Sequence, residues 1–412
     1  MIRSSQHSLK FATKFKLSEL SDVLYEYRQV VQDLINIYWS GLASKFDPKT
    51  NNLEVKTYYP KETLDSIDTW LSARLKQAAG KQACSMLKSA VKKRQKQYFM
   101  LKKLQKQGKN TKHLRSKIDR VKLVKPNAAN INMELDSRFV DIQDGNHFDL
   151  FVRLSSIGNR KQIRLPIKKT RVSNKWAKSG QLKKSIRINE NCVTLYYEVE
   201  KKTNKGDKTV AIDQGLTTTV TMSDGQVTGK CPHGHDLKSI QQKMSRCKKG
   251  SKAFKRAQKH RTNYINWSIG RLNLDGVKTI RLEELKNVRK GRSASRLLSH
   301  WTYTEINDKI IQKSEYLGID VETVSNKYRS QRCFECGFTH KSNRSSEKFC
   351  CRNCGSSTNA DLNAAKNLML DLPEVPDCVW DNKLNRSTGF FWDLLSIITD
   401  EDIVRQNKKA EM

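Results

Sequence analysis

CFECGFTHKSNRSSEKFCCRNCG, residues 333–355, decides how the second half of this chain is built. Cys333 and Cys336 are followed by Gly337, and Cys351 and Cys354 repeat the pattern before Gly355, with fourteen residues between the two pairs. A Cys-x-x-Cys turn folds the backbone so that two thiolates face one Zn²⁺. The glycine lets the turn close, and two such turns complete a tetrahedron. The spacing therefore predicts a ribbon at 328–357 holding one structural zinc on Cys333, Cys336, Cys351 and Cys354. Disulfides are disfavoured in a reducing compartment, and a redox Cys-x-x-Cys would not occur twice. Cys350, beside Cys351, would lengthen the second spacing and break the symmetry of the turns.

Outward from the ribbon, three acids stand at the ends of predicted core elements. Upstream, VAID (210–213) ends a strand on Asp213 before Gln214 and Gly215, and TIRLE (279–283) ends another on Glu283. Downstream, NADLNAAKNL (359–368) reads as a helix that opens with Asp361. Between them lie a hairpin around Asp224-Gly225, basic helices over 236–272, a helix at 303–317 and a strand at 319–325, together an α/β domain. Three carboxylates at such ends could converge on two Mg²⁺ ions, which take oxygen ligands and sit roughly 3.5 to 4 Å apart in two-metal sites. An acid at a strand end also serves as a turn or helix cap, so the residues alone leave both readings open.

Charge names the kind of partner. Lys and Arg outnumber Asp and Glu by 78 to 42, a formal +36 over 412 residues. So basic a chain repels itself unless a polyanion sits against it, and nucleic acid fits. The excess is clustered: Lys92 to Lys125 holds fourteen Lys or Arg and one acid, Asp119. Candidate phosphate contacts there are Lys92, Lys93, Arg94, Lys96, Lys102 and Lys103, with Arg332 and Arg352 in the ribbon. Such contacts weaken steeply as salt rises and carry no sequence specificity. No apolar run approaches the 18 or so residues of a membrane span, and the N-terminus lacks the apolar core of a secretory signal; a cytoplasmic protein is expected.

The N-terminal half changes period part-way. Leu17, Leu20, Val23, Leu24, Tyr27, Val30, Val31, Leu34 and Ile35 are spaced as one face of a helix. A second helix is predicted after Pro60, through Ile67, Trp70, Leu71 and Leu75, into the basic segment. From about residue 127 the period becomes two, in HFDLFVRLS, KQIRLPIKK, KSIRINE and CVTLYYEVE, which suggests a small β-barrel over 127–201. A strand at Ser8 to Phe15 would pair with it. The segment KKTNKGDK (201–208) reads as a linker, and the tail past Leu372, with Trp380, Phe390, Phe391 and Trp392, has no predicted place. Cys231-Pro-His-Gly-His235, with Cys247 beyond, reads either as a second metal set or as solvated loop histidines. Cys84, Cys192 and Cys378 read as ordinary thiols, and Trp301 and Tyr303 as core packing or base stacking.

VAIDQG, IRLEELKNV and NADLNAAKNL, with HWTYTEINDKII leading to YRSQRCFECG, resemble the RuvC segments of the transposon-encoded TnpB nucleases and of the compact type V CRISPR effectors. The resemblance covers about residues 208 to 371 and implies a multidomain α+β architecture. Its parts would be first wedge strands at 1–16, a helical recognition lobe at 17–126 and a wedge β-barrel at 127–201. A linker at 202–207 would follow, then an RNase H-like RuvC domain at 208–327 resuming at 358–372, with the zinc ribbon inserted and the tail 373–412 unplaced. It implies Asp213, Glu283 rather than Glu284, and Asp361 as catalytic residues on two Mg²⁺ ions. The implied activity is an RNA-guided DNA endonuclease, acting as monomer or homodimer with a structured guide RNA on double-stranded target DNA beside a short recognised motif. Competing readings are a nuclease-inactive RNA-guided repressor, a guide-free nuclease of the same fold and a plain zinc-ribbon RNA-binding protein. Gln214 and Arg329 depart from the residues common in the family at those positions; neither removes a metal ligand.

Overall fold

The computed structural model describes residues 1–46, 55, 57–108, 110–120, 123–215, 218–285, 302–376, 379 and 383–398. The chain divides into two compact units, Met1–Glu200 and Lys201–Met412. Among the described residues no helix is long and apolar enough to cross a membrane.

In the N-terminal unit the strand β1 (Ile2–Ser8) precedes α1 (Lys14–Lys45), whose first turn is capped by the Thr13 hydroxyl accepting from the Lys16 amide. The strand therefore lies earlier than the 8–15 reading, because Thr13 is a good cap and starts a helix at once. From Leu20 to Ile35 the predicted apolar positions are fully buried, and α1 packs on α3 (Ala73–Lys106). The predicted second helix is broken. A short α2 (Lys61–Asp65) ends at Ser66, and α3 begins only after Ser72. Between them the chain bridges to residues 156–158: the Ser72 amide donates to the Ile157 carbonyl at 3.1 Å, and Leu71 pairs with Gly158. Gly158 (φ 134°) is required there, since a Cβ would stand 2.3 Å from the Trp70 carbonyl. Helix α4 (Lys112–Arg120) follows.

The strands form two sheets rather than one closed ladder. One has the order β1-β7-β6-β2, with β2 at Met133–Leu135, β6 at Gly180–Ile188 and β7 at Cys192–Val199. The other is β3-β4-β5, at Val140–Asp144, Leu150–Leu154 and Ile163–Ile167. A helix hidden in the even strand spacing, α5 (Arg171–Ser179), separates β5 from β6; Thr170 and Ser173 form its reciprocal capping box. Strand β1 pairs antiparallel with β7 along its whole length, so the helices α1 to α4 are inserted between the first strand and the rest.

The C-terminal unit is a mixed sheet of order β11-β10-β8-β9. Strands β8 (Lys208–Asp213), β10 (Val277–Glu283) and β11 (Asp320–Val324) run parallel, and the short β9 (Thr221–Met222) returns antiparallel beside β8. Helices α6 (Leu237–Arg246) and α7 (Lys252–Arg271), capped by Asp236 and Ser251, are the predicted basic helices. Helix α8 (Tyr303–Leu317) and α9 (Ala360–Met369) complete the unit. Val210, Ile212, Ile265, Ile280, Leu282, Ile306 and Ile310 make one core, and Tyr303 packs partly buried against it. Trp301 and Cys378 lie outside the described residues.

Candidate active site and zinc ribbon

Register explains how two of the acids meet. Ile212 is level with Leu282 across the parallel β8–β10 pair, so Asp213 and Glu283, one step further, leave the sheet side by side at its C-terminal edge. Helix α9 packs on β8, β9 and β10. Its first turn is fixed by Asn359, whose side-chain oxygen accepts from the amides of Asp361 at 2.9 Å and Leu362 at 3.1 Å. Asp361 is thereby held at the same edge. The turn after β8 passes close by: a Cβ on Gly215 would lie 3.6 Å from a carboxylate oxygen of Asp361 and 2.6 Å from the Thr218 carbonyl, so only glycine allows the approach.

The electrostatics record the crowding. Burial, then the charges of Glu283 and Asp361, push the Asp213 carboxyl up to about 8, while Arg344 opposes the shift. Glu283 is raised as well, chiefly by burial, with Asn326 and Arg344 pulling it back. It is Glu283 whose charge acts on Asp213. The Glu284 amide instead continues the strand edge, donating to the Val324 carbonyl at 2.9 Å, and alternation sends its side chain to the other face.

Arg344, on the ribbon strand β13 (Arg344–Ser345), is the residue the sequence reading missed. Its guanidinium donates to Asp361 at 2.8 Å and lowers the proton affinity of both other acids. Nothing in its local sequence separates it from the other cations of so basic a chain; only the folded ribbon aims it at the acids. Oxygen donors around unneutralised buried charge suit a hard divalent cation. The three carboxylates do not close around one point: among the described residues only the four cysteines have all ligand atoms within 4.8 Å of one another.

The ribbon repeats one turn twice. Gly337 and Gly355, at φ 78° and 73°, each donate an amide hydrogen at 3.0 Å to the carbonyl of the first cysteine of their pair. The Sγ atoms of Cys333 and Cys354 are 3.7 Å apart, and those of Cys336 and Cys351 3.6 Å. Four sulfurs about 2.3 Å from a tetrahedral zinc stand about 3.8 Å from each other, so the cluster already has the size of a zinc site. Burial raises the Cys333 thiol and pushes Cys351 up to about 12, which leaves these sulfurs in need of a cation to be thiolates. Cys351 is buried with the cluster, whereas Cys350 is exposed on β14 (Lys348–Cys350). The strand β15 (Ser357–Asn359) joins the ribbon to α9.

Two predicted phosphate contacts are corrected. Arg332 is 4% exposed and its guanidinium is spent inside the protein, on the carbonyls of Trp392 (2.6 Å) and Cys333 (3.0 Å) and on Asn367 (2.7 Å). Arg94 lies on the buried face of α3, and burial lowers its pKa. Lys92, Lys93, Lys96, Lys102, Lys103 and Arg352 are exposed. A cleft of about 470 Å³ runs beside α3, lined among others by Ser85, Ser89, Lys93, Gln97 and Lys125. Arg329 turns from the site to cap α9, donating to the carbonyls of Asn367 and Leu370, and Gln214 donates to Asn307. The tail also has a place. Strand β16 (Phe390–Trp392) pairs with β12 (Phe338–Thr339) of the ribbon and with β17 (Ile397–Ile398).

Residues 303–368, which carry α8, the ribbon and Asp361, match the family model of the Cas12f1-like TNB domain. The chain is 38% identical over 141 residues to the CRISPR-associated endodeoxyribonuclease Cas12f1 of Sulfoacidibacillus thermotolerans, covering 34% of this chain and 32% of that protein. Against InsQ of Escherichia coli K12, named as an RNA-guided DNA endonuclease, identity is 26% over 225 residues, 45% of this chain and 56% of InsQ. Over these stretches the chain is similar to Cas12f1 and to InsQ. A solved Cas12f1–sgRNA–target DNA complex shares the fold at TM-score 0.50 and 15% identity, covering 85% of this chain and 82% of that one. The chain thus spans a third to about half of the length of these relatives, and the matched family model lies in the unit that holds the acids and the ribbon.

Proposed function

We propose that this protein is an RNA-guided DNA endonuclease that hydrolyses target DNA with Asp213, Glu283 and Asp361 as its catalytic carboxylates. One observation carries the reading. Two acids leave adjacent parallel strands at one edge, a third is held against them by a capped helix, and burial, then the charges of the other two, push the Asp213 carboxyl up to about 8. A buried acidic cluster of this kind is costly for the fold alone and is retained where it binds a cation. The donor set fits Mg²⁺, held by Asp213, Glu283 and Asp361; when bound it supplies Lewis acidity at the phosphate and a readily ionised water.

The chain's own groups do the rest. The strand ends and the Asn359 cap hold the carboxylates so that little rearrangement is needed when a phosphodiester arrives. Arg344 neutralises Asp361 and stands at the edge where a phosphate oxygen would be bound. In the reaction water adds its oxygen to phosphorus, the bond to the 3′-oxygen breaks, and a proton of that water passes by way of solvent to the departing 3′-oxygen. The names of the Cas12f1 and InsQ relatives supply the substrate class, and the +36 charge with exposed lysines along α3 suits a resident guide RNA. Four cysteines that could hold a metal ion take the structural zinc.

The test is to purify the full chain, sequence the RNA that accompanies it, and present a plasmid matching that RNA with Mg²⁺ or with EDTA. Cutting only with Mg²⁺ and only of the matching plasmid is expected. A preparation that carries no RNA and cuts regardless of match overturns the guided reading.

A further inference from the structure

The segment Cys231-Pro-His-Gly-His235 plays no part in the nuclease reading, and the fold sorts its residues by chemistry. Its thiol turns inward: Cys231 packs partly buried against the core of the C-terminal unit. Cys247 packs beside Met244, Phe254 and Ala257 and gives its S–H to the Lys243 carbonyl at 3.3 Å. The imidazoles stay outside. His233 and His235 lie exposed on a tight turn closed by the Cys231 amide on the His235 carbonyl and the Gly234 amide on the Cys231 carbonyl, both at 2.8 Å. Gly234, at φ 75°, supplies the left-handed step such a turn needs.

The sequence reading did not include the third imidazole. His260, half-buried on α7, faces the turn with its ring perpendicular to that of His235 at a centroid distance of 4.8 Å. Burial, then His235, Lys243 and His233, lower its proton affinity, which puts all three rings within electrostatic reach of one another. Neutral imidazole is the form that ligates metal. We infer that His233, His235 and His260 form a second metal site, for a divalent transition cation of the zinc class, which clips the 231–235 turn onto α7.

The rings are close without yet converging. Filling the site requires the exposed His233 side chain to swing a nitrogen toward the His235–His260 pair, with water completing a tetrahedron. Three neutral ligands bind more weakly than four thiolates, so the site fills after the ribbon and empties before it.

The inference is independent of the nuclease reading, and its test needs no cleavage. The full-length protein is equilibrated at micromolar free zinc and its zinc content per chain measured, followed by Co²⁺ titration read by absorption. Two equivalents are expected: one tight, with thiolate charge-transfer bands in Co²⁺ form, and one weaker, with only ligand-field bands. His260→Ala and His233→Ala should each remove the weaker equivalent and leave the thiolate bands. Circular dichroism of these surface variants checks that the fold is kept. Cys333→Ser should do the reverse. A wild-type protein that stops at one equivalent, or a second equivalent that survives His260→Ala, overturns the site.

Discussion

The four cysteines and the three carboxylates occupy the same half of the molecule and are built by opposite routes. Each cysteine turn is local: four residues, a glycine in a left-handed conformation and one hydrogen bond bend the chain so that both thiols face one side. Packing of the two turns on each other then sets sulfurs of different turns 3.6 and 3.7 Å apart, at the spacing of a filled tetrahedron. The carboxylates come from Asp213, Glu283 and Asp361, far apart in sequence, and only the β8–β10 register and the seating of α9 unite them. The first site is prepared for its cation by geometry. The second is prepared by charge, since its acids stay wider apart and burial raises the proton affinity of Asp213 and Glu283.

The sharpest way to break this contrast is at the acids. Glu283→Ala should reduce plasmid cleavage about a thousandfold or more, as loss of a metal-holding catalytic group does, while bound RNA is retained. Glu284→Ala should leave most of the cleavage. Equal losses in the two variants would mean that strand alternation does not choose the ligand.

At the ribbon the expected loss is of structure. Cys333→Ser, or removal of zinc by a strong chelator, should cost several kcal/mol of stability and lower soluble yield, because zinc binding and ribbon folding are one process. Thermal melts and zinc content measure it. Cys350→Ser should change neither; if it releases zinc, Cys350 rather than Cys351 is the ligand.

A smaller effect tests the charge argument with no substrate present. Folded Asp213 titrates near 8 and an unfolded aspartate near 4. The folded state therefore holds the proton more tightly, and stability of the cation-free protein falls as pH rises from about 4 toward 8. Asp213→Asn removes that cost. In EDTA its gain over wild type should grow from about 1–2 kcal/mol at pH 5 to several at pH 8, read from melting curves. A gain that does not change with pH would show that Asp213 is not held protonated.

What could be read in advance follows the same division. The knuckle spacing, the α1 face from Leu20 to Ile35 and the strand-ending acids are local patterns, and the fold keeps them. Arg344 could not be picked from so many cations, since only the antiparallel turn of β13 carries it to Asp361. Arg332 was misread because a surface contact and a buried clamp use the same residue, and its partners, Asn367 and Trp392, are distant in sequence. The break at Ser66–Leu71 was hidden because Ile67 and Leu71 are buried at helical spacing while their backbone serves a bridge to Gly158.

The Arg332 clamp also sets a limit on how short this protein can be made. Its guanidinium joins the first knuckle, α9 and the carbonyl of Trp392, and the Trp392 indole in turn donates to the Pro373 carbonyl at 3.1 Å. A chain cut after Leu372 would keep Asp213, Glu283, Asp361 and the four ribbon cysteines, yet it would strip an acceptor from a buried cation and bare the side of Tyr328 that Val375, Phe390 and Trp392 cover. For anyone trimming the molecule, Val375, Phe390 and Trp392 belong with the fold of the C-terminal unit.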